Sequence, residues 1–464
     1  MINRAARALP RSRHLVRRAL GFGLAATLAL APVLEAEAQS NRPRLIRDAE
    51  IESTLRAYAD PIFAAAGLDT SAVQVHIIQD KRINAFVSGG MQIFVHTGLL
   101  TEAKTPNELI GVIAHETGHI QGGHLARRKE ELENRTIEAI IGMLAGVAVG
   151  VATGDAGVGV GTATLGQSIA TANLLQYSQA QEGAADQAAF RLLEATGQSP
   201  KGMVDFFRLL SRQEALSSVN QDPYMRTHPL TTSRVDSAEA ALRQSPYADR
   251  QDTPELMARH QRMHAKLNGY LETLGRVMQM YPEKDQSVPA RYARAIALYR
   301  ASRLQEAVAA MDSLLAESPN DPFFLEQKAQ ILYENGRIRE SLPLYQQALD
   351  LAPAEPLIRM ELATAQVESN DPALLDAAAS NLNEVVRLEP KNARAFHLLG
   401  QAYYSLGDMP MATLAQAEEA LARGENKDAK RLAERALQGL KEGSPGWLKA
   451  QDIQFAADQA SEDE

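Results

Sequence analysis

The chain contains no cysteine, which removes thiolate nucleophiles, disulfide frameworks, iron–sulfur clusters and every zinc site built on sulfur ligands. Any metal must then be held by His, Asp or Glu, and histidine is itself scarce, at 10 in 464 residues. Aromatic residues are few, 5% of the total; with alanine abundant, this favours helices over an all-β sandwich. Positive charge is also in deficit, 48 Lys and Arg against 57 Asp and Glu. An acidic chain lacks the basic face that phosphate contacts require, so nucleic acid is not expected as a partner.

Six of the arginines stand together at the start, at positions 4, 7, 11, 13, 17 and 18. An uncharged apolar stretch from Ala19 to Leu34 follows, then the small-x-small triplet Ala36-Glu37-Ala38. This is the order of a secretory signal peptide, residues 1–38, and the apolar stretch is short of the ~20 residues needed to span a membrane. Cleavage after Ala38 would export an even more acidic chain.

Two regions follow. Residues 39–280 mix short strand-like runs with helices, and residues 281–464 are repetitive and helical. The join, Tyr281 to Pro289, carries two prolines and polar filler, which is linker chemistry. In the second region Pro319 and Pro353 are 34 residues apart, Pro390 follows after 37, and Gly424 comes 34 further on. Small residues recur where paired helices must touch: Ala295 with Ala307, Ala329 with Ser341, Gly400 with Ala412. Leu399-Gly400, Tyr403 and Gly407-Asp408 match the tetratricopeptide pattern. The longer interval implies a small insertion around Asn370-Asp371-Pro372, and helices over Lys427 to Leu440 and Trp447 to Phe455 would cap the stack. Such a solenoid presents a concave surface to peptides or partners.

The chemistry lies in the first region. His115-Glu116-Thr117-Gly118-His119 is an HExxH motif, and Thr105-Pro106-Asn107-Glu108 upstream is a capping box with proline at the first helical position. The helix therefore starts near Pro106 and carries His115 and His119 one turn apart on one face. That spacing lets two imidazoles hold one zinc while Glu116 takes the proton of a water on the metal. The metzincin pattern needs a third histidine at position 125, where this chain has Leu125; His124 is one residue early. A carboxylate on a second helix is the alternative. Glu182, with Asp186 one turn further on, would complete a His2Glu site with the fourth position left for water. Asp186 is then placed to accept a hydrogen bond from a ligand histidine, His115 before His119.

These motifs, with Asn84 to Leu100, His124 and Thr227-His228-Pro229, resemble the gluzincin family of HtpX-like and CAAX-prenyl-protease-like peptidases, in its BepA-type form bearing tetratricopeptide repeats. The resemblance covers nearly all of the exported chain, through to Pro445-Gly-Trp447 in the terminal helix. It implies a mainly α fold with a small β-sheet, a zinc peptidase domain followed by an α-solenoid. It also implies one Zn2+ per chain, a periplasmic location and endoproteolysis in outer-membrane quality control. The partners implied are unfolded or misassembled outer-membrane proteins and, through the repeats, the β-barrel assembly machinery. A chaperone or adaptor whose proteolysis is secondary is the other class of function.

Five further expectations attach to single segments or residues. The strand pair Ile83 to Val87 and Gln92 to His96 would form a hairpin whose free edge can pair with an extended peptide. Residues 139–181 carry one charge, Asp155; they read as apolar helices beside the site, a lid or a surface in peripheral contact with membrane. His124 lacks the spacing to share the metal and reads as a structural or outer contact. His228, stiffened by Pro229, has three readings: a surface histidine, a stabiliser of the transition state, or, as the family subgroup implies, a fourth metal ligand that displaces the catalytic water and holds the enzyme latent. Arg234 either supports the substrate carbonyl or anchors the loop through a carboxylate, and spacing does not choose.

Overall fold

The computed structural model describes residues 44–88, 91–124, 179–216 and 228–462. The leader 1–38 and residues 139–178 of the apolar stretch lie outside the described residues. Among the described residues no helix is long and apolar enough to cross a membrane.

Four short strands, β1 (Leu45–Ile46), β2 (Gln74–Ile78), β3 (Ala85–Ser88) and β4 (Gln92–His96), form one sheet in the order β1-β2-β4-β3. The expected hairpin is β3 against β4, with Phe86 opposite Phe94. The returning strand does not stay at the rim: β4 also pairs in parallel with β2, so the edge left on this side is β3. Alternation explains the choice. Ala85, Ile93 and Val95 face inward and are buried, whereas Phe86, Phe94 and His76 stack across the other face, a period-two pattern that fixes register.

Against the inner face lie α1 (Ala49–Ala65), α2 (Thr97–Glu102) and α3 (Pro106–Gln121). A helix described over 179–195, α4, comes next, then α5 (Lys201–Leu216) and α6 (Thr232–Gln244). One apolar core joins Leu55, Tyr58 and Phe63 of α1 to Ile110 and Ile113 of α3, Leu193 of α4 and Phe206 of α5. The start of α3 is close to the capping box: the Thr105 hydroxyl accepts from the Glu108 N–H at 3.3 Å, while Glu108 reaches one residue past the N-cap, to the Lys104 N–H at 3.0 Å.

Five helix pairs make the repeats: α9 (Val288–Arg300) with α10 (Leu304–Glu317), α11 (Pro322–Glu334) with α12 (Ile338–Leu351), and α13 (Pro356–Glu368) with α14 (Leu375–Leu388). They continue as α15 (Ala393–Ser405) with α16 (Met409–Ala422) and α17 (Asn426–Leu437) with α18 (Pro445–Glu462). Ala295, Ala307, Ala329 and Ser341 are fully buried at the crossings. The longer interval has a concrete cause: Pro372–Leu374 add one 3-10 turn ahead of α14, entered through Asn370 at φ 54°.

Between the two regions stand α7 (Pro254–Leu271) and α8 (Leu274–Met280). Met263 and Leu267 of α7 belong to the first core, while Ala265 of the same helix packs with Tyr292 and Ile296 of α9. The segment after α8 is a pinned turn: the Arg294 guanidinium donates to the carbonyls of Tyr281, Pro282 and Asp285 at 3.2, 2.9 and 2.8 Å. The start of α1 is seated inside the solenoid, with Ala49 packed among Leu325, Ala329 and Leu357.

Candidate metal centre

Helices α3 and α4 approach closely because residue 118 has no side chain. A Cβ on Gly118 would stand 2.7 Å from the Ala185 carbonyl oxygen, so only glycine lets the two helices bring their polar faces together. His115 and His119 from α3 then meet Glu182 from α4, and His228, just ahead of α6, closes the group.

The separations are informative. His115 Nε2 and His119 Nε2 are 3.1 Å apart, and each lies 3.3 Å from a Glu182 oxygen. His228 Nδ1 is 3.0 Å from Glu182 Oε1 and 3.4 Å from His115 Nε2. A tetrahedral ion with bonds of about 2.0–2.1 Å needs ligand atoms roughly 3.3–3.4 Å from one another. The donor set therefore fits such an ion, with nitrogen and oxygen ligands as the lack of cysteine demands.

Each ligand ring is turned by a partner behind it. His115 Nδ1 is 2.9 Å from Asp186 Oδ1, and Asp186 is in turn gripped by Arg234 through Nε at 2.7 Å and a second N–H at 2.9 Å. His119 Nδ1 is 2.9 Å from His124 Nδ1. With their Nδ1 atoms engaged, both rings present Nε2 to the centre, the usual use of an outer hydrogen bond. His124 reaches His119 through a turn: Gly123 has φ 59°, and a Cβ on Gly122 would stand 2.2 Å from His124 Nε2. Gln181 Nε2 donates to the His124 carbonyl at 3.4 Å.

The electrostatics ask for positive charge at the centre. Burial alone would push His115 down, yet the hydrogen bonds and charges of Asp186 and Glu182 raise it to about 10. Burial likewise opposes the charge on Glu182, but His228, His115 and His119 hold it far below the usual carboxylate range. Glu116 differs from all of these. It is fully buried, neither carboxylate oxygen has a hydrogen-bond partner, and His228 Nε2 lies 3.6 Å away.

Every residue singled out in the sequence for this site is thus in one cluster: His115, Glu116, His119, His124, Glu182, Asp186, His228 and Arg234. Of the two positions open to Arg234, the geometry is that of an anchor. Its guanidinium is 3.0 Å from Glu182, donates to the Pro229 carbonyl at 2.9 Å and lies over the Phe207 ring. Gln181 and Phe207 were not read from sequence. Gln181 adjoins Glu182, which is a usable signal; Phe207 looks like any buried helix residue. His76 and His96 are elsewhere, on the sheet.

Residues 46–242 match the model of Peptidase family M48, and residues 283–322, 327–374 and 375–412 match a tetratricopeptide repeat model. The chain is 27% identical over 421 residues to the "Beta-barrel assembly-enhancing protease" of Yersinia pestis, covering 86% of this chain and 82% of that protein. The protein of the same name from Escherichia coli K12 is 25% identical over 371 residues, 79% of this chain and 75% of that one. "Metalloprotease LoiP" of the same bacterium is 30% identical over 163 residues, 35% of this chain and 60% of its own length. The repeat model begins beyond the metal cluster, and the peptidase model encloses all of it. A region that matches Peptidase family M48 and holds the whole cluster is thus followed by a region that matches tetratricopeptide repeats.

Proposed function

We propose that this is an exported, periplasmic zinc endopeptidase acting on misassembled proteins, in quality control and chaperone-like assistance of outer-membrane β-barrel assembly. Residues 39–280 are its peptidase domain, and residues 281–464 recruit substrates or the assembly machinery. The observation that carries the catalytic part is Glu116. A buried carboxylate with neither oxygen bonded is costly and calls for a functional reason; beside a three-imidazole, one-carboxylate cluster the reason is proton transfer. The cellular part rests on the relatives named as β-barrel assembly-enhancing proteases, which align over most of both chains.

In this reading His115, His119 and Glu182 would hold one zinc, which would supply Lewis acidity. Glu116 would act as the general base toward the attacking water and pass the proton to the leaving amine. Asp186 and His124 keep the two ligand rings aimed. His228 would take the remaining ligand position in place of water, so its loop would keep the enzyme latent, and Arg234 ties that loop to Asp186. A closed corner also suits a chaperone or adaptor in which cleavage is secondary. The purified chain should bind about one zinc and cut casein in a chelator-sensitive way. Glu116→Gln should retain the zinc and lose at least ~10²-fold in rate, the scale of general-base loss. Equal zinc loss in Glu116→Gln and His115→Ala would remove Glu116 from the role of base.

A further inference from the structure

The two imidazoles that α3 turns toward the cluster are held from behind by unlike partners. Behind His115 stands a carboxylate: Nδ1 is 2.9 Å from Asp186 Oδ1, and Arg234 fixes that carboxylate through two N–H groups. Behind His119 stands another imidazole, that of His124, with Nδ1 to Nδ1 at 2.9 Å. The two rings also differ in depth, since the His119 side chain is 12% exposed and that of His115 1%.

A contact between two ring nitrogens holds one proton, and its place follows from the other end of the ring. A neutral imidazole carries a proton on one nitrogen and a lone pair on the other. His119 Nε2 faces His115 Nε2 at 3.1 Å and Glu182 at 3.3 Å, so as a metal ligand it keeps its lone pair there. The proton is then on His119 Nδ1, and His124 Nδ1 accepts it as the neutral tautomer protonated at Nε2. Such an acceptor brings none of the negative charge that Asp186 brings to His115, and hydrogen bonds to neutral groups are the weaker kind. Two glycines make the contact possible: Gly123 turns the chain at φ 59°, and a Cβ on Gly122 would stand 2.2 Å from His124 Nε2. Gln181, next to Glu182, donates to the His124 carbonyl at 3.4 Å, so the helix that carries the ligand carboxylate also holds this turn.

We propose that His124 is a positioning residue: it fixes the tautomer of His119 by accepting at Nδ1 and, being neutral, backs that ligand less firmly than a carboxylate would. This rests on the reading of the cluster as a zinc site, and it adds which ligand gives the metal up more readily. Asn and Asp place Oδ1 where histidine has Nδ1, one bond beyond Cγ, and Leu places a methyl there. The full chain and its His124→Asn, His124→Asp and His124→Leu variants are titrated at one pH against a chromophoric zinc chelator. The visible spectrum of each is also recorded with Co2+ in place of zinc, and circular dichroism checks folding.

His124→Leu should bind zinc about 10- to 100-fold more weakly, the scale for loss of an outer hydrogen bond to a ligand histidine. His124→Asn keeps a neutral acceptor and should stay within about threefold of the parent. His124→Asp should bind about three- to tenfold more tightly than the parent, because a charged acceptor makes the stronger bond. The Co2+ bands of the Leu variant should shift, and those of the Asn variant should not. Unchanged affinity in the Leu variant, an Asn variant as weak as Leu, or an Asp variant no tighter than the parent would each overturn the proposal. Should His124→Leu fail to fold, the order of Asp, parent and Asn decides. A parent chain that binds no zinc would overturn the metal reading as well, whereas a zinc-binding parent whose variants break this order overturns the proposal alone.

Discussion

At the metal centre His115, His119 and His228 turn ring nitrogens, and Glu182 its oxygens, toward one region. The Nδ1 atoms of the two α3 histidines are engaged behind them by Asp186 and His124. At the junction of α1, α7 and the repeats, burial is just as complete, with Lys266 and Tyr292 at 0% exposure and Glu50 at 3%. There the charges answer one another directly: Lys266 meets Asp48, Glu50 and Glu326, and Arg262 meets Glu50 and Asp321. Buried charge alone does not mark a site. What separates the two is that acceptors in the first converge on a point that calls for a cation, while in the second protein cations already fill that role.

The sharpest way to break the comparison is to remove the junction's ammonium. Lys266→Ala leaves three carboxyls facing one another without it, and breaking a buried pair costs about 3–5 kcal/mol. The urea midpoint should fall accordingly, and the two regions should begin to unfold separately. A loss under about 1 kcal/mol would mean the cluster is solvated and behaves as a surface salt bridge. Glu361→Gln is the control. Burial, and next the neighbouring Glu326, push Glu361 well above the usual range, and burial raises Glu326 to about 7. Since the two carboxyls cannot both ionise easily, a neutral amide there should cost little or stabilise.

The same contrast explains what could be read from sequence. HExxH, the capping box and the Glu182–Asp186 pair are legible because one helical period dictates which side chains share a face. The repeats are legible through their interval, and even the insertion at 372–374 is. The junction was not: Glu50, Lys266 and Glu326 look like the solvated charges of amphipathic helices, and the join at 281 like a spacer. Only the seating of α1 inside the solenoid, a long-range contact, buries them. The sheet order was illegible for a related reason. Strands of five residues or fewer fix a hairpin locally, but the parallel pairing of β2 with β4 is decided by which face meets the core.

A third buried cluster carries no charge, and pH can distinguish it from the other two. His260 bridges the Tyr58 hydroxyl at 3.3 Å and the Ala103 carbonyl at 3.0 Å, and the His264 ring packs against it at a tilt of 42° with Nε2 lacking a partner. Burial pushes His260 down to about 4 and His264 to about 3, with Lys104 adding to both. Their folded values lie below the ordinary ~6.5, so the unfolded chain takes up protons first as pH falls. The stability they contribute is therefore complete above about pH 6.5 and lost on the way to about pH 3, by on the order of 3–5 kcal/mol for each ring. His264→Leu should flatten the fall in urea midpoint between pH 7 and 5 relative to the parent. Parallel falls would show that the pair does not govern it.

The smallest expected change is the one that separates latency from catalysis. His228 is held at the cluster from two sides: its Nδ1 by Glu182, and the backbone after it by Arg234, which donates to the Pro229 carbonyl while gripping Asp186. The loop that carries His228 is thus tied, through Arg234, to the residue that contacts His115. On the proposed latent reading, His228→Ala removes that imidazole without touching His115, His119 or Glu182, so zinc should stay bound. Cleavage of casein, and of the chain itself, should rise by about tenfold, equivalent to ~1.4 kcal/mol of closure. A fall in rate with zinc retained would instead make the imidazole a catalytic group beside Glu116. Loss of zinc would make it a permanent ligand. An unchanged rate would leave the loop with no hold on the site, and the comparison would then have to rest on Glu116 alone.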